Sequence, residues 1–330
     1  MLAVSYDALL DRCDHLFSTL SVSAEEIKAV EELTRGQSSS KAWFQFRAGR
    51  VTASRFKAAA CTDASQPSAS LILSISYPSS AGFSTAATKW GCTHECVARE
   101  TYEHSQRSKH RELKIKVSGF VISHQYPFIG ASPDGLVSCL CCGPGLLEVK
   151  CPFNCKSVSL ADAAESAKFC LELIDGKMQL KSTHTFFYQV QAQLLVCEAK
   201  YCDFVGWSEK DLFIQRVLPD KSFTEQAMES ITAFFKLGIM PELVSKWFSK
   251  TFSEEELPMT GVQSESLVSP AGLTPRTHLG CYCDGSKDGD VVICANAECS
   301  RKRFHLQCLK LKQKPKRKWQ CPQCRKKKRA

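Results

Sequence analysis

Two groups of residues in this chain have types and spacings that could do chemistry. The first runs Cys281-x-Cys283, Cys294-x4-Cys299, His305-x2-Cys308 and Cys321-x2-Cys324. In order that is four cysteines, one histidine and three cysteines. Thiolate and imidazole suit Zn2+, which takes four ligands in a tetrahedron, so eight ligands serve two ions. A segment this short has too small a core to fold without such a staple. The second group is Asp134, in Ser132-Pro133-Asp134-Gly135, followed by Glu148-Val149-Lys150. Alternate residues of a strand share a face. Glu148 and Lys150 therefore point one way, and Leu147 and Val149 point to the other, apolar side. Asp134 ends the preceding strand, so two carboxylates and a lysine meet at one sheet edge. Such oxygen ligands suit Mg2+ (or Mn2+), which keeps several waters. The ion would activate water and stabilise charge developing on a phosphate. Lys150 would position or deprotonate that water, with a pKa lowered by burial. On spacing alone the motif is short, and the same pattern occurs in surface strands.

These residues need elements to position them. Leu9, Leu10, Cys13, Leu16, Phe17 and Leu20 recur at helical spacing. Ser23 and Glu26 form a capping-box pattern that opens a second helix, and the spacing predicts a third after Thr52. GQSSS at 36–40 reads as a loop and CTDASQPSAS at 61–70 as a turn region. A helix begins at Trp90. From Lys114 to Ile129 the pattern alternates and is rich in Val, Ile, Phe and Tyr, as strands are. LLEVK at 146–150 is a short strand, and FFYQVQAQLLVC, ending at Cys197, is a buried helix. YCDFVGWS and DLFIQRVL are two more strands. Helices follow over 224–235 and 241–248.

The formal net charge of +9 is uneven. Lys310 to Ala330 holds 11 Lys and Arg and no acids, whereas the other residues hold 32 basic against 34 acidic. The basic run suits phosphate contact, a nuclear address or simply a solvated tail. No run of 18 apolar residues predicts a membrane span, and the N-terminal residues lack the pattern of a secretory signal. The 19 cysteines are then expected as reduced thiols in nucleus or cytosol. Seven belong to the zinc pattern. Of the other twelve, Cys139, Cys141, Cys142, Cys151 and Cys155 flank the Glu148 strand, as ligands of a third zinc or as small buried hydrophobes.

The C-terminal segment CDGSKDGDVVICANAECSRKRFHLQCLKLKQKPKRKWQCPQCR resembles the PHD finger family, and within it the inhibitor-of-growth type. Trp319, two residues before Cys321, stands where these fingers place a core Trp, unlike a RING-type ubiquitin-ligase finger. The resemblance implies a cross-brace. Cys281, Cys283, His305 and Cys308 hold one Zn2+, and Cys294, Cys299, Cys321 and Cys324 hold the other. The family often reads methyl-lysine on histone tails through an aromatic cage. Here Gly280 and Arg303 stand at the cage positions, which leaves an unmodified tail, DNA or no ligand.

Five stretches upstream, WFQFRAGRVTAS at 43–54, WGCTHE at 90–95, GASPDGLV at 130–137, LLEVKCPF at 146–153 and YQVQAQLLV at 188–196, come in the order of another family. They resemble the phage lambda-type alkaline exonucleases and YqaJ-like viral recombinase nucleases of the PD-(D/E)xK superfamily. The resemblance implies an α/β (α+β) fold, a mixed central sheet flanked by helices, beside the small two-zinc finger. It also implies a metal-dependent deoxyribonuclease, an exonuclease at 5′-phosphorylated duplex ends working by two-metal hydrolysis. Asp134 and Glu148, with the Val149 carbonyl, become ligands of Mg2+ or Mn2+. Glu95 becomes the upstream acid, Lys150 the catalytic lysine and Gln189 a supporting residue. Arg47, Ser54 and Ser132 hold the 5′-phosphate. Without the resemblance, Arg47 pairs with a surface acid, Ser54 caps a helix, and Gln189 and Gln191 bond within the core. His184 is a packed histidine.

The expected organisation is a helical segment at 1–40, the exonuclease domain at 41–253, a linker at 254–279, the finger at 280–325 and a basic tail at 326–330. Finger and tail would target the nuclease to chromatin or DNA in the nucleus, with histone tails as partners and no membrane. Phage relatives form ring-shaped trimers, which makes a homo-oligomer the family's implication. Alternatives are an inactive nuclease fold that binds chromatin or histone tails, and an endonuclease of a virus- or transposon-derived recombination system.

Overall fold

The computed structural model describes residues 5–78, 85–249, 291–296, 299, 303–306, 319–321 and 324. Its contacts divide the chain into Met1–Lys250 and Thr251–Ala330. The first unit opens with α1 (Tyr6–Ser18) and α2 (Ala24–Leu33). Ser23 accepts from the Glu26 N–H, and Glu26 returns a bond to the Ser23 N–H, so the capping box is formed. Then come α3 (Lys41–Arg47), β1 (Val51–Thr52), α4 (Phe56–Ala60), α5 (Ala69–Ser76) and the long α6 (Ala86–Arg107). Four strands follow: β2 (Lys114–Lys116), β3 (Val121–Ile122), β4 (Ile129–Ala131) and β5 (Gly135–Cys139), with Asp134 in the turn before β5 and not at the end of a strand. β6 (Gly143–Lys150) carries Glu148 and Lys150. After it come α7 (Leu160–Ala164), a hairpin of β7 (Leu171–Ile174) and β8 (Lys177–Leu180), and α8 (Thr185–Val196). β9 (Cys202–Trp207), β10 (Leu212–Val217), α9 (Lys221–Phe234) and α10 (Met240–Ser245) complete the unit. Strand β1, helices α3, α5 and α7, and the β7–β8 hairpin are additions to the elements expected from the sequence.

The central sheet runs β10-β9-β6-β5-β2. β6 and β9 are parallel and the other pairs antiparallel, so the sheet is mixed. A parallel pair needs a crossover, and α8 lies within it. Alternation along β6 sends Leu147 and Val149 into an apolar layer with Ala98 and Tyr102 of α6. Leu146 goes to the opposite layer, with Val190 and Leu194 of α8. Both faces are thus covered by helices. A smaller sheet, β1-β4-β3, packs with α1, α4, α5, α9 and α10 around Phe56, Ile72, Ile129 and Phe234. Gly130 is required there, because a Cβ would lie 2.1 Å from the Phe120 ring. Among the described residues no helix is long and apolar enough to cross a membrane.

In the second unit, β11 (Val291–Ile293) pairs antiparallel with β12 (Arg303–His305). Its core contains Val292, Phe304, Leu306 and Trp319. The Trp319 and Phe304 rings meet edge to face at 5.6 Å. Residues 254–279, expected as a linker, the tail at 326–330, and Gly280, Cys281, Cys283 and Cys308 lie outside the described residues. Of Arg303 and His305 only the backbone in β12 is described.

Candidate metal and nucleic-acid site

The loop from β4 into β5 and the end of β6 bring Asp134, Glu148 and Lys150 together. The Asp134 N–H donates to the Leu147 carbonyl at 3.0 Å, which pins the turn to β6. The Val149 N–H donates to Asp134 Oδ2 at 2.7 Å. Glu148 is fully buried, and Lys150 Nζ donates to its Oε1. Gln189 Nε2 donates to the same oxygen at 2.5 Å, and Gln193 Nε2 donates to Oε2 at 2.6 Å. These two glutamines are four apart on α8 and therefore neighbours on one helix face. Glu95, from α6, joins Asp134, Val149, Lys150, Cys151 and Phe186 in lining a cleft of about 230 Å³. Lys150 Nζ also stands 5.1 Å from the Phe186 ring centre.

Burial, followed by repulsion from Glu148, raises the Asp134 carboxyl well above its ordinary range. Burial raises Glu95 too, with Arg99 opposing and Glu148 adding to the shift. Lys150 departs from expectation. Burial alone lowers a lysine, but the fields of Glu148 and Asp134 and the hydrogen bond to Glu148 outweigh it, and its pKa is raised. Among these carboxylates Lys150 is a fixed cation and not a ready base. Gln193, which the sequence analysis passed over, is the second clamp on Glu148. Its signal was the i, i+4 spacing from Gln189. Gln191 lies between them and turns elsewhere, donating to the Leu218 carbonyl and accepting from the Asp220 N–H.

Arg47 and Ser132 are joined by Trp43. The Arg47 guanidinium stacks 3.6 Å over the Trp43 ring, and Trp43 Nε1 donates to Ser132 Oγ at 2.9 Å. Arg47 Nε is buried without a partner, and among the described residues Arg47 makes no ion pair. Burial, then the nearby Arg55, lowers its pKa to about 10. Ser54 is exposed and its hydroxyl shares a hydrogen bond with Thr52 at 3.1 Å, without capping a helix. Ser54 and Ser132 follow the paired residues Thr52 and Gly130 of parallel β1 and β4, each by two positions. His184 caps α8, its Nδ1 accepting from the Phe186 N–H. Cys151 and Cys155 are buried in separate apolar layers, where burial pushes their thiols up to about 12 and about 11. They do not meet Cys139, Cys141 and Cys142, which sit at the other end of the β5–β6 hairpin.

In the second unit Cys294, Cys299, Cys321 and Cys324 place their Sγ atoms within 4.8 Å of one another. Cys299 and Cys321 Sγ are 3.7 Å apart, and the Cys321 N–H donates to Cys294 Sγ at 3.2 Å. Burial pushes the Cys321 thiol up to about 12. The donor set, four buried sulfurs within 4.8 Å of one another, fits Zn2+.

Residues 42–200 match the YqaJ-like viral recombinase domain family. Among solved structures, the alkaline exonuclease of Laribacter hongkongensis is 25% identical, covers 63% of this chain and 97% of its own, and has a TM-score of 0.46. The Shutoff and Exonuclease Protein of Kaposi's sarcoma-associated herpesvirus is 12% identical, covers 66% and 74%, and has a TM-score of 0.45. Inhibitor of growth protein 1 of Mus musculus is 40% identical over 65 residues, 19% of this chain and 23% of its own length. PHD finger protein ING1 of Arabidopsis thaliana is 35% identical over 65 residues, 20% and 28% respectively. The chain spans less than a third of the length of these two relatives. Their likeness falls in the C-terminal region, where Trp319 and the four-cysteine cluster lie. The chain carries a YqaJ-like viral recombinase domain over residues 42–200, followed in its C-terminal region by a PHD-type finger.

Proposed function

We propose that this protein is a metal-dependent DNA exonuclease that starts at 5′-phosphorylated duplex ends and is held on chromatin by its finger and basic run. The observation that carries the reading is the convergence of Glu95, Asp134 and Lys150 on one cleft, with Glu148 accepting from Lys150 beneath it. A fully buried Glu148 held by two glutamines on α8 adds to it. Three acidic groups there face one lysine, and burial raises two of them. A dication relieves that charge, and an all-oxygen donor set suits Mg2+ or Mn2+. Asp134, Glu148 and the Val149 carbonyl would hold it, with Glu95 beside them. When bound, the ion supplies Lewis-acid stabilisation of the phosphate charge and a water of lowered pKa.

The chain's own groups have separable tasks. Gln189 and Gln193 fix the orientation of the Glu148 carboxylate. Lys150 offers its ammonium to the phosphate or to the attacking water as a positioned donor. Arg47, flat on Trp43 and with an unused buried Nε–H, is suited to a terminal phosphate, and Ser132 and Ser54 offer hydroxyls at the ends of neighbouring strands. The finger, resembling a protein named for chromatin modification, and the lysine-rich run would hold the enzyme on chromatin in the nucleus.

The test is degradation of a linear duplex with 5′-phosphate ends, with Mg2+ or EDTA, beside Lys150→Ala and a closed circle. Loss of the linear duplex alone, at least 100-fold slower in Lys150→Ala, is expected. Nicking of the circle would make it an endonuclease. Folded protein inert on both would leave a chromatin-binding module.

A further inference from the structure

The turn between β5 and β6 holds three cysteines in four residues, Cys139-Leu140-Cys141-Cys142. His110, from the segment after α6, reaches the same point. The four ligand atoms lie within 4.8 Å of one another. His110 Nδ1 is 3.2 Å from Cys141 Sγ and 3.6 Å from both Cys139 Sγ and Cys142 Sγ. Cys141 Sγ is 3.3 Å from Cys139 Sγ and 3.9 Å from Cys142 Sγ. A tetrahedron with Zn–S of about 2.3 Å and Zn–N of about 2.0 Å has S···S edges of about 3.8 Å and N···S edges of about 3.5 Å. The observed spacings scatter about those values. We propose that His110, Cys139, Cys141 and Cys142 form a structural Zn2+ site within the nuclease unit, separate from the finger and from the catalytic cleft.

The surroundings suit a metal-bound cluster. Three thiolates and a neutral imidazole around a dication leave one negative charge. Arg216 Nη1 donates to Cys142 Sγ at 3.2 Å, while its Nε and Nη2 are fixed on buried Asp203 at 2.8 and 2.9 Å. The Cys142 N–H donates to Cys139 Sγ at 3.3 Å. The Leu140 N–H donates to the Arg111 carbonyl at 2.9 Å, so the two ligand-bearing segments already touch. Four protein ligands close the coordination sphere, the mark of a structural site. Five residues of strand, about 17 Å, separate Cys139 from Asp134.

The experiment measures zinc per chain by mass spectrometry of the whole purified protein. Wild type is compared with His110→Ala, Cys141→Ser and the finger variant Cys294→Ser/Cys321→Ser. His110→Ala and Cys141→Ser should each lose one ion per chain, and that loss should add to the finger's. Cys141 is exposed, so serine there disturbs no core, and circular dichroism checks the fold. Co2+ loaded into the finger variant should give a thiolate charge-transfer band that Cys141→Ser lowers by the share of one site. Unchanged zinc in Cys141→Ser overturns the proposal. So does a disulfide among the three cysteines in the unreduced wild type. Neither outcome depends on whether the protein cuts DNA.

Discussion

Replacing Gln193 by leucine isolates the support given to Glu148. Gln193 is fully buried; its Nε2 donates to Glu148 Oε2 at 2.6 Å and its Oε1 has no partner. Leucine removes both atoms at similar volume. Losing a hydrogen bond to a charged acceptor costs about 1.5–3 kcal/mol, and removing the orphaned carbonyl returns about 1–3 kcal/mol. The two nearly cancel, so the melting temperature should move by no more than about 5 °C. Metal binding should move much more. Glu148 would keep its Oε1 partners, Lys150 and Gln189, and lose the one group among the described residues that fixes Oε2. Loss of such an outer partner weakens metal affinity by about 10–100-fold. The assay is nuclease rate against Mg2+ concentration, paired with the Mg2+-induced rise in melting temperature. Both curves should shift to higher Mg2+ by that factor, with most of the rate recovered at saturation. Gln191→Leu is the control. It breaks bonds to Leu218 and Asp220 and should lower stability without moving the Mg2+ curve. A Gln193→Leu curve that superimposes on wild type would refute the clamp.

Two further outcomes follow from charge and stacking. Because burial raises the Asp134 carboxyl in the folded state, its contribution to stability is present below the unfolded carboxylate pKa. It is lost as pH rises through the raised folded value. Metal-free Asp134→Asn should therefore melt higher than metal-free wild type at neutral pH, and added Mg2+ should stabilise only the wild type; melts with EDTA or Mg2+ decide it. Arg47→Ala should slow digestion of 5′-phosphorylated ends by 10-fold or more, on the order of 1.4 kcal/mol, and leave 5′-hydroxyl ends nearly unchanged. An equal effect on both ends would remove Arg47 from the phosphate.

The face of β6 was legible because alternation is a local property. Leu147 and Val149 do lie in one apolar layer while Glu148 turns toward the glutamines of α8. The capping box of α2 and the buried helix over FFYQVQAQLLVC were legible for the same reason. What failed was signal that depends on partners. Helix α5, ASLILSIS, is too short and too serine-rich to show a clear stripe, and Ile72 and Ile75 are enclosed by the Phe56–Phe234 layer. The β7–β8 hairpin did carry a turn signal, Asp175-Gly176, both at positive φ, as a tight hairpin requires. Its strands are only four residues long, too short for alternation to stand out. The raised pKa of Lys150 could not be read either, since it depends on how many carboxylates the fold gathers around one ammonium. His110 was invisible as a ligand because its partners lie about thirty positions away in sequence.

The two clusters of the nuclease unit sit on the same pair of elements, which gives the zinc site a mechanical meaning. Helix α6 carries Glu95 partway along and leads to His110 just past its end. The β5–β6 hairpin carries Asp134 and Glu148 at its open end and the cysteines at its tip. From Glu95 to Arg107 the helix rises about 18 Å at 1.5 Å per residue. From Asp134 to Cys139 the strand advances about 17 Å. The two spans match, and α6 packs on that strand pair through Tyr102, Val137 and Leu147. A metal joining the helix end to the hairpin tip therefore fixes how far one can slide along the other. That sliding coordinate is the one that sets Glu95 against Asp134 and Glu148. An acid on a helix and acids on a sheet must be held to within a fraction of an ångström to share an ion. The clamp at the far end, with Arg216 tying its Cys142 sulfur to Asp203 and Asp203 accepting from the Tyr102 hydroxyl at 2.6 Å, carries the constraint back into the layer beneath the site.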